Sequence, residues 1–148
     1  MRRYSLFLIA ILFFVACDKD KVDTRPSIDL QALDANFVPT GGGLFVTMDF
    51  TDKEGDLSSV FVQKLRLNQK VLPTLRDTFS LIIPEFDKRS KGSIRIPMEY
   101  QNHLISAENP GFPPNAENDT LQIRFAVRDA AGNVSDTAIT GVVVIGRN

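Results

Sequence analysis

The sequence is predicted to form an all-β domain, a single antiparallel sandwich of about seven short strands, and three observations lead there. Leu44, Val46, Met48 and Phe50 interleave with Phe45, Thr47 and Asp49, while Leu121, Ile123, Phe125 and Val127 interleave with Gln122, Arg124 and Ala126. That period of two places one face of each segment in a core. Gly, Pro, Asn and Asp interrupt the chain at short intervals, and no long window carries apolar residues at helical spacing with a cap at each end.

Ahead of the strands, Arg2 and Arg3 precede a short apolar run, Tyr4 to Ala16, and then Cys17, the single cysteine of the chain. A charged start followed by such a run is the order of an export signal. The run is shorter than the roughly twenty apolar residues a spanning helix needs. Cleavage by an ordinary signal peptidase after Ala16 would place the bulky Phe14 where a small residue is wanted. The segment Phe14-Val15-Ala16-Cys17 instead resembles the lipobox of bacterial lipoproteins, with Phe14 standing where Leu is usual. The resemblance implies that residues 1–16 are a cleaved signal and that Cys17 becomes a lipidated N-terminus. Each buried methylene of an acyl chain contributes about 0.8 kcal/mol, so two or three chains hold a protein on a membrane. The thiol is then consumed, leaving none for catalysis, metal binding or a disulfide.

Residues 17–27 are charged and carry no apolar periodicity, as expected of a solvated tether. Ten residues span at most about 33 Å. Cys17-Asp18-Lys19-Asp20 also resembles part of the surface-export signal of some Gram-negative lineages, with Lys21 where a second acid is usual. Of 17 basic residues two, Arg2 and Arg3, would leave with the signal, so that 15 face 18 acidic ones, a net charge of −3. That balance does not suggest nucleic acid as a partner or an electrostatic membrane patch.

Residues 28–148 fit one domain with one core. Strands are predicted at 28–33, 44–50, 60–67, 79–83, 93–98, 121–127 and 138–145. Gly41-Gly42-Gly43 offers a flexible entry to the second, and Asp129-Ala130-Ala131-Gly132-Asn133 a turn between the last two, where Gly132 and Asn133 can take positive φ. Between Tyr100 and Asp119, the run Asn109-Pro110-Gly111-Phe112-Pro113-Pro114 predicts a long irregular loop, of a kind uncommon in compact domains unless functional or mobile.

The stretch from Ile123 to Thr137 resembles the last hairpin of bacterial immunoglobulin-like and fibronectin type III-like modules, and Phe50-Thr51-Asp52-Lys53-Glu54-Gly55-Asp56-Leu57 resembles the Asp-x-x-Gly-Asp loop of cadherin-like modules. With the lipobox, the whole resembles a small lipoprotein carrying an immunoglobulin-like β-sandwich. These motifs are rich in turns and speak to fold more than to function.

In a sandwich of that topology the two acidic loops share a pole. Asp52, Glu54, Asp56, Asp129 and Asn133 would then converge, and calcium, which takes six to eight oxygen ligands, is the cation their chemistry suits. The spacing is not that of an EF-hand. The same residues also make ordinary Asx turns, so both readings stand.

Other chemistry is thinner. His103, the sole histidine, lies in a polar segment, no Gly-x-Ser-x-Gly elbow accompanies it, and zinc would lack ligands. Gly41 to Gly43 lack the Lys and helix of a phosphate cradle. Phe112, on the Pro-rich loop, with Tyr100 ahead of it, is the place where an exposed aromatic would meet a sugar or an apolar partner. The competing reading has Phe112 folded back to pin its loop. The expectation is therefore a non-enzymatic module, lipid-anchored to the outer membrane of a Gram-negative cell and displayed outward. It would serve adhesion, assembly or ligand binding, with an envelope protein or glycan as partner. An accessory subunit of an outer-membrane complex is the alternative, and an enzyme of unrecognised class ranks last.

Overall fold

A computed structural model of the protein describes residues 24–108 and 117–147. Eight strands run β1 (Ser27–Leu33), β2 (Phe37–Val38), β3 (Gly43–Thr51), β4 (Leu57–Arg66), β5 (Thr78–Ile82), β6 (Lys91–Glu99), β7 (Asp119–Asp129) and β8 (Ala138–Ile145). They form a three-stranded sheet of order β1-β3-β6 and a five-stranded sheet of order β2-β8-β7-β4-β5. All seven predicted strands are present within a few residues of their expected ends.

The inner faces are those the alternation marks. Leu44, Val46, Met48 and Phe50 of β3 and Leu121, Ile123, Phe125 and Val127 of β7 are buried, joined by Val60 and Val62 of β4 and Ile96 and Met98 of β6. Each such side chain contributes about 1.5–3 kcal/mol on leaving water. Outward positions are clad differently: the Arg95 guanidinium covers the ring of Phe45 at 3.8 Å. Pro97 pairs with Phe45 on β6, an edge strand where a missing N–H need not cost a ladder bond.

Two findings depart from the sequence expectation. The sandwich is not wholly antiparallel: after β1 the chain crosses to the other sheet, and β2 pairs parallel with the end of β8, Phe37 opposite Val144 and Val38 opposite Ile145. Two residues are too few to print a periodicity, and their partner lies over a hundred positions away. The segment after β6 also does not begin as irregular chain, because Tyr100–Leu104 form one π-helical turn. Tyr100 continues the inward alternation of Ile96 and Met98, so it is buried, and its hydroxyl donates to the Gly146 carbonyl.

The strand directions set two poles. At one lie the β3–β4 and β7–β8 connections and the start of β1, since Ser27 pairs with Thr51 and the Ala130 amide donates to the Asp56 carbonyl at 3.0 Å. The other pole holds a buried polar network. Asp119, fully buried, accepts from Arg66 Nε at 3.0 Å, Arg147 Nη1 at 3.2 Å and the Ser106 amide at 3.1 Å. Beside it the Lys64 ammonium, also buried, donates to the carbonyls of Leu75 and Ile105. These bonds tie the β4–β5 connection and the segment after the π-turn to the ends of the core strands.

Candidate functional site

At the first pole the acids converge as the topology requires. Alternation turns Phe50 inward and Thr51 outward, so Asp52 points in again and has no exposed surface. The chain then reverses: the Gly55 amide donates to the Asp52 carbonyl at 3.2 Å and the Asp56 amide to Asp52 Oδ2 at 2.8 Å. Gly55 has φ +65°, and a Cβ there would stand 2.7 Å from the Arg89 nitrogen, so both conformation and space demand glycine.

Asp129 closes β7 and is 2 % exposed. Its Oδ1 accepts the Asn133 amide at 2.8 Å and its Oδ2 accepts Asn133 Nδ2 at 2.7 Å, while Gly132, at φ +94°, lets the turn close. One carboxylate oxygen each from Asp52, Asp56 and Asp129 lies within 4.8 Å of the others. Asp52 Oδ1 and Asp56 Oδ1 are buried and have no hydrogen-bond partner. Among the described residues, the ion pairs join Arg25 to Asp136, Arg66 to Glu117 and Asp119, and Arg147 to Asp119, and none reaches this trio. Like charges held this close repel one another unless a cation lies between them.

The structure thus brings together three of the four acids of these loops, with Asn133 bonded to one of them. Glu54, at the crest of the turn, is exposed and stands outside the trio. Asn133 is adjacent, but its side-chain amide and backbone N–H serve Asp129 as donors. The donor set is oxygen alone, suited to hard cations rather than zinc or copper.

Tyr100 is corrected: its ring is in the core and its hydroxyl is engaged with Gly146, so it offers no stacking face to a ligand. Phe112 and Cys17 lie outside the described residues. His103, read as a polar-loop residue, is half-buried on the π-turn. It stacks on Phe79 with 5.3 Å between ring centroids, and its Nδ1 accepts the Glu99 amide at 2.9 Å. Burial lowers its pKa from the ordinary imidazole value, against the opposing pull of Glu99. No helix among the described residues is long and apolar enough to cross a membrane.

Two features had no counterpart in the sequence reading. A shallow groove of about 490 Å³ on the outer face of the five-stranded sheet is lined by Phe61, Gln63, Thr78, Arg124 and Thr137. An apolar strip runs down the same sheet's edge, where Phe37, Ile139 and Val142 are about half exposed. The signal for both was the outward set of the alternating pattern, where Phe61 and Val142 replace the polar residues expected of a solvated face.

No family model and no curated protein matches the chain. Among solved structures it is similar to a β-glucosidase from Listeria innocua in complex with glucose, at 12 % identity and TM-score 0.41, over 83 % of this chain and 16 % of that one. It is also similar to Spo0M, a sporulation control protein from Bacillus subtilis, at 12 % identity and TM-score 0.39, over 84 % of this chain and 50 % of that one. The chain therefore spans half or less of the length of either structure.

Proposed function

We propose that the protein is a lipid-anchored lipoprotein of the bacterial cell envelope whose immunoglobulin-like sandwich is a non-enzymatic binding module. The observation that carries this reading is the position of Cys17, directly behind the apolar run Tyr4 to Ala16 and only ten residues ahead of β1. The three-plus-five sheet order, with the chain crossing after β1 so that β2 pairs with the last strand, supports the immunoglobulin-like assignment. Arg25 donates to the Val134 carbonyl at 3.1 and 3.0 Å and to Asp136 Oδ1 at 3.2 Å, fastening the end of the tether to the β7–β8 connection. The chain from Cys17 to that clasp spans at most about 28 Å, which holds the domain close to its membrane. The engagement of His103 with Phe79 and the Glu99 amide favours a structural role for the one imidazole.

The test is fractionation of a Gram-negative host expressing the full chain and its Cys17→Ser variant. The wild-type chain should partition with membranes and carry the mass of its acyl groups, and the variant should appear in the soluble fraction. Equal partitioning of both, with no added mass on Cys17, would overturn the anchor.

The second reading, an accessory subunit of an envelope complex, is favoured by the apolar strip of Phe37, Ile139 and Val142. Exposed apolar patches rimmed by polar residues are a mark of protein contacts. A Val142→Lys variant should then lose partners that co-purify with the wild-type lipoprotein from membranes, and retention of all of them would set this reading aside.

A further inference from the structure

We infer that the pole from which the tether departs holds a divalent cation of the calcium class, bound by Asp52, Asp56 and Asp129. The inference does not rest on the lipid anchor. It starts from the convergence of three carboxylates within 4.8 Å, two of them from residues with at most 2 % exposure. A second observation is independent of that clustering: Asp52 has no exposed surface, and its Oδ1 meets no donor although its Oδ2 is satisfied by the Asp56 amide. Asp56 repeats the pattern with a buried, unpartnered Oδ1. Buried polar atoms of folded proteins are almost always paired, and an anionic oxygen is the least tolerant exception.

A cation resolves both features at once. Calcium–oxygen bonds run about 2.3–2.6 Å, so ligands on opposite sides of one ion stand about 4.6–5.2 Å apart, and the separations here fit inside that shell. Three carboxylates, mono- or bidentate, leave the remaining positions to loop carbonyls and water. Nitrogen and sulfur ligands are absent from the trio, which speaks against the softer transition metals. Magnesium demands near-ideal octahedral geometry that two irregular turns are poorly suited to supply.

Site and fold are coupled through the Asp56 carbonyl, which accepts the Ala130 amide and joins the two turns. An ion drawing Asp52 and Asp56 toward Asp129 would tighten the same junction. Arg25 clasps the β7–β8 connection at Val134, so the ion would also stiffen the place where the tether leaves the domain.

The test is calorimetric titration of calcium chloride into the full chain, purified in a non-ionic detergent and stripped with a chelator at pH 7, alongside thermal unfolding. One ion per chain is expected, with a dissociation constant on the order of 10⁻⁴ to 10⁻³ M, as for extracellular modules, and a melting temperature that climbs with calcium. Asp52→Asn and Asp56→Asn should each weaken binding about tenfold or more, and Glu54→Gln should leave it within about twofold. Should Asp52→Asn fail to fold, the less deeply buried Asp56 still decides. Absence of heat and of any melting shift at 10 times the upper dissociation constant would overturn the site. So would a Glu54→Gln loss equal to that of Asp56→Asn, or stabilisation by acid alone with no response to calcium. Because lipidation is read by mass, failure of the anchor and failure of the ion site are distinguishable.

Discussion

Arg66 Nε stands 3.0 Å from Asp119 Oδ1, and both side chains are nearly or wholly out of water. Removing one partner of a buried pair leaves an uncompensated charge, a loss of about 3–5 kcal/mol. Asp119 also satisfies Arg147 and the Ser106 amide, so Asp119→Ala should fall at the upper end of that range in equilibrium urea unfolding. The exposed Arg25–Asp136 pair provides the contrast: Asp136→Ala should shift stability by less than about 1 kcal/mol.

The Tyr100 hydroxyl reaches 46 residues along the chain to the Gly146 carbonyl. Tyr100→Phe leaves the ring in the core and leaves that carbonyl to the longer bond from Thr40 Oγ1 at 3.3 Å, for an expected cost of about 0.5–1.5 kcal/mol. Thermal unfolding of the variant measures it, and an unchanged melting temperature would remove the bond from the account of how the C-terminal segment is held.

Gly55 and Gly132 both have positive φ but differ in surroundings. An alanine at Gly132 would meet nothing within 4 Å, so Gly132→Ala should cost only the left-handed strain, about 1–2 kcal/mol. At Gly55 the added methyl would press on the Arg89 backbone at 2.7–3.0 Å. Gly55→Ala should therefore be clearly the more destabilising of the two by denaturant midpoint, and the reverse order would contradict the packing described for that turn.

Burial lowers the Lys64 ammonium from 10.5 to about 8, with Asp77 acting in the opposite direction. Since the folded value lies below the unfolded one, the unfolded chain holds more protons between those limits. Stability contributed through this group should thus rise as pH goes from about 8 to 10.5 and be flat below. Urea midpoints measured across that range in the wild type and in Lys64→Met isolate the effect, because the variant should lose the slope.

The strands were legible because their inner faces are almost uniformly apolar, and β3 and β7 announce themselves by alternation alone. The polar pole was not. Lys64 occupies an inward position of β4, against the apolar alternation, because two carbonyls from distant connections meet its ammonium there. Tyr100 was drawn outward by its nearness to the Pro-rich loop, when continued alternation from Met98 carries it inward. The acidic loops were half legible: strand direction gives the convergence of Asp52, Asp56 and Asp129, but the exposure of Glu54 depends on which residues crest a four-residue turn. Asn133 joins the same turn as a double donor to Asp129, through its backbone N–H and its Nδ2.

Ser27 pairs with Thr51 at one pole, and Ile145 pairs with Asp119 at the other. A pull between the two ends of the domain therefore runs parallel to the strands and across their ladder bonds, which lie perpendicular to the chain. Under such tension the bonds between β1 and β3 share the strain side by side instead of parting one after another. A domain held by its first residues and pulled at its far end would resist as a shear joint.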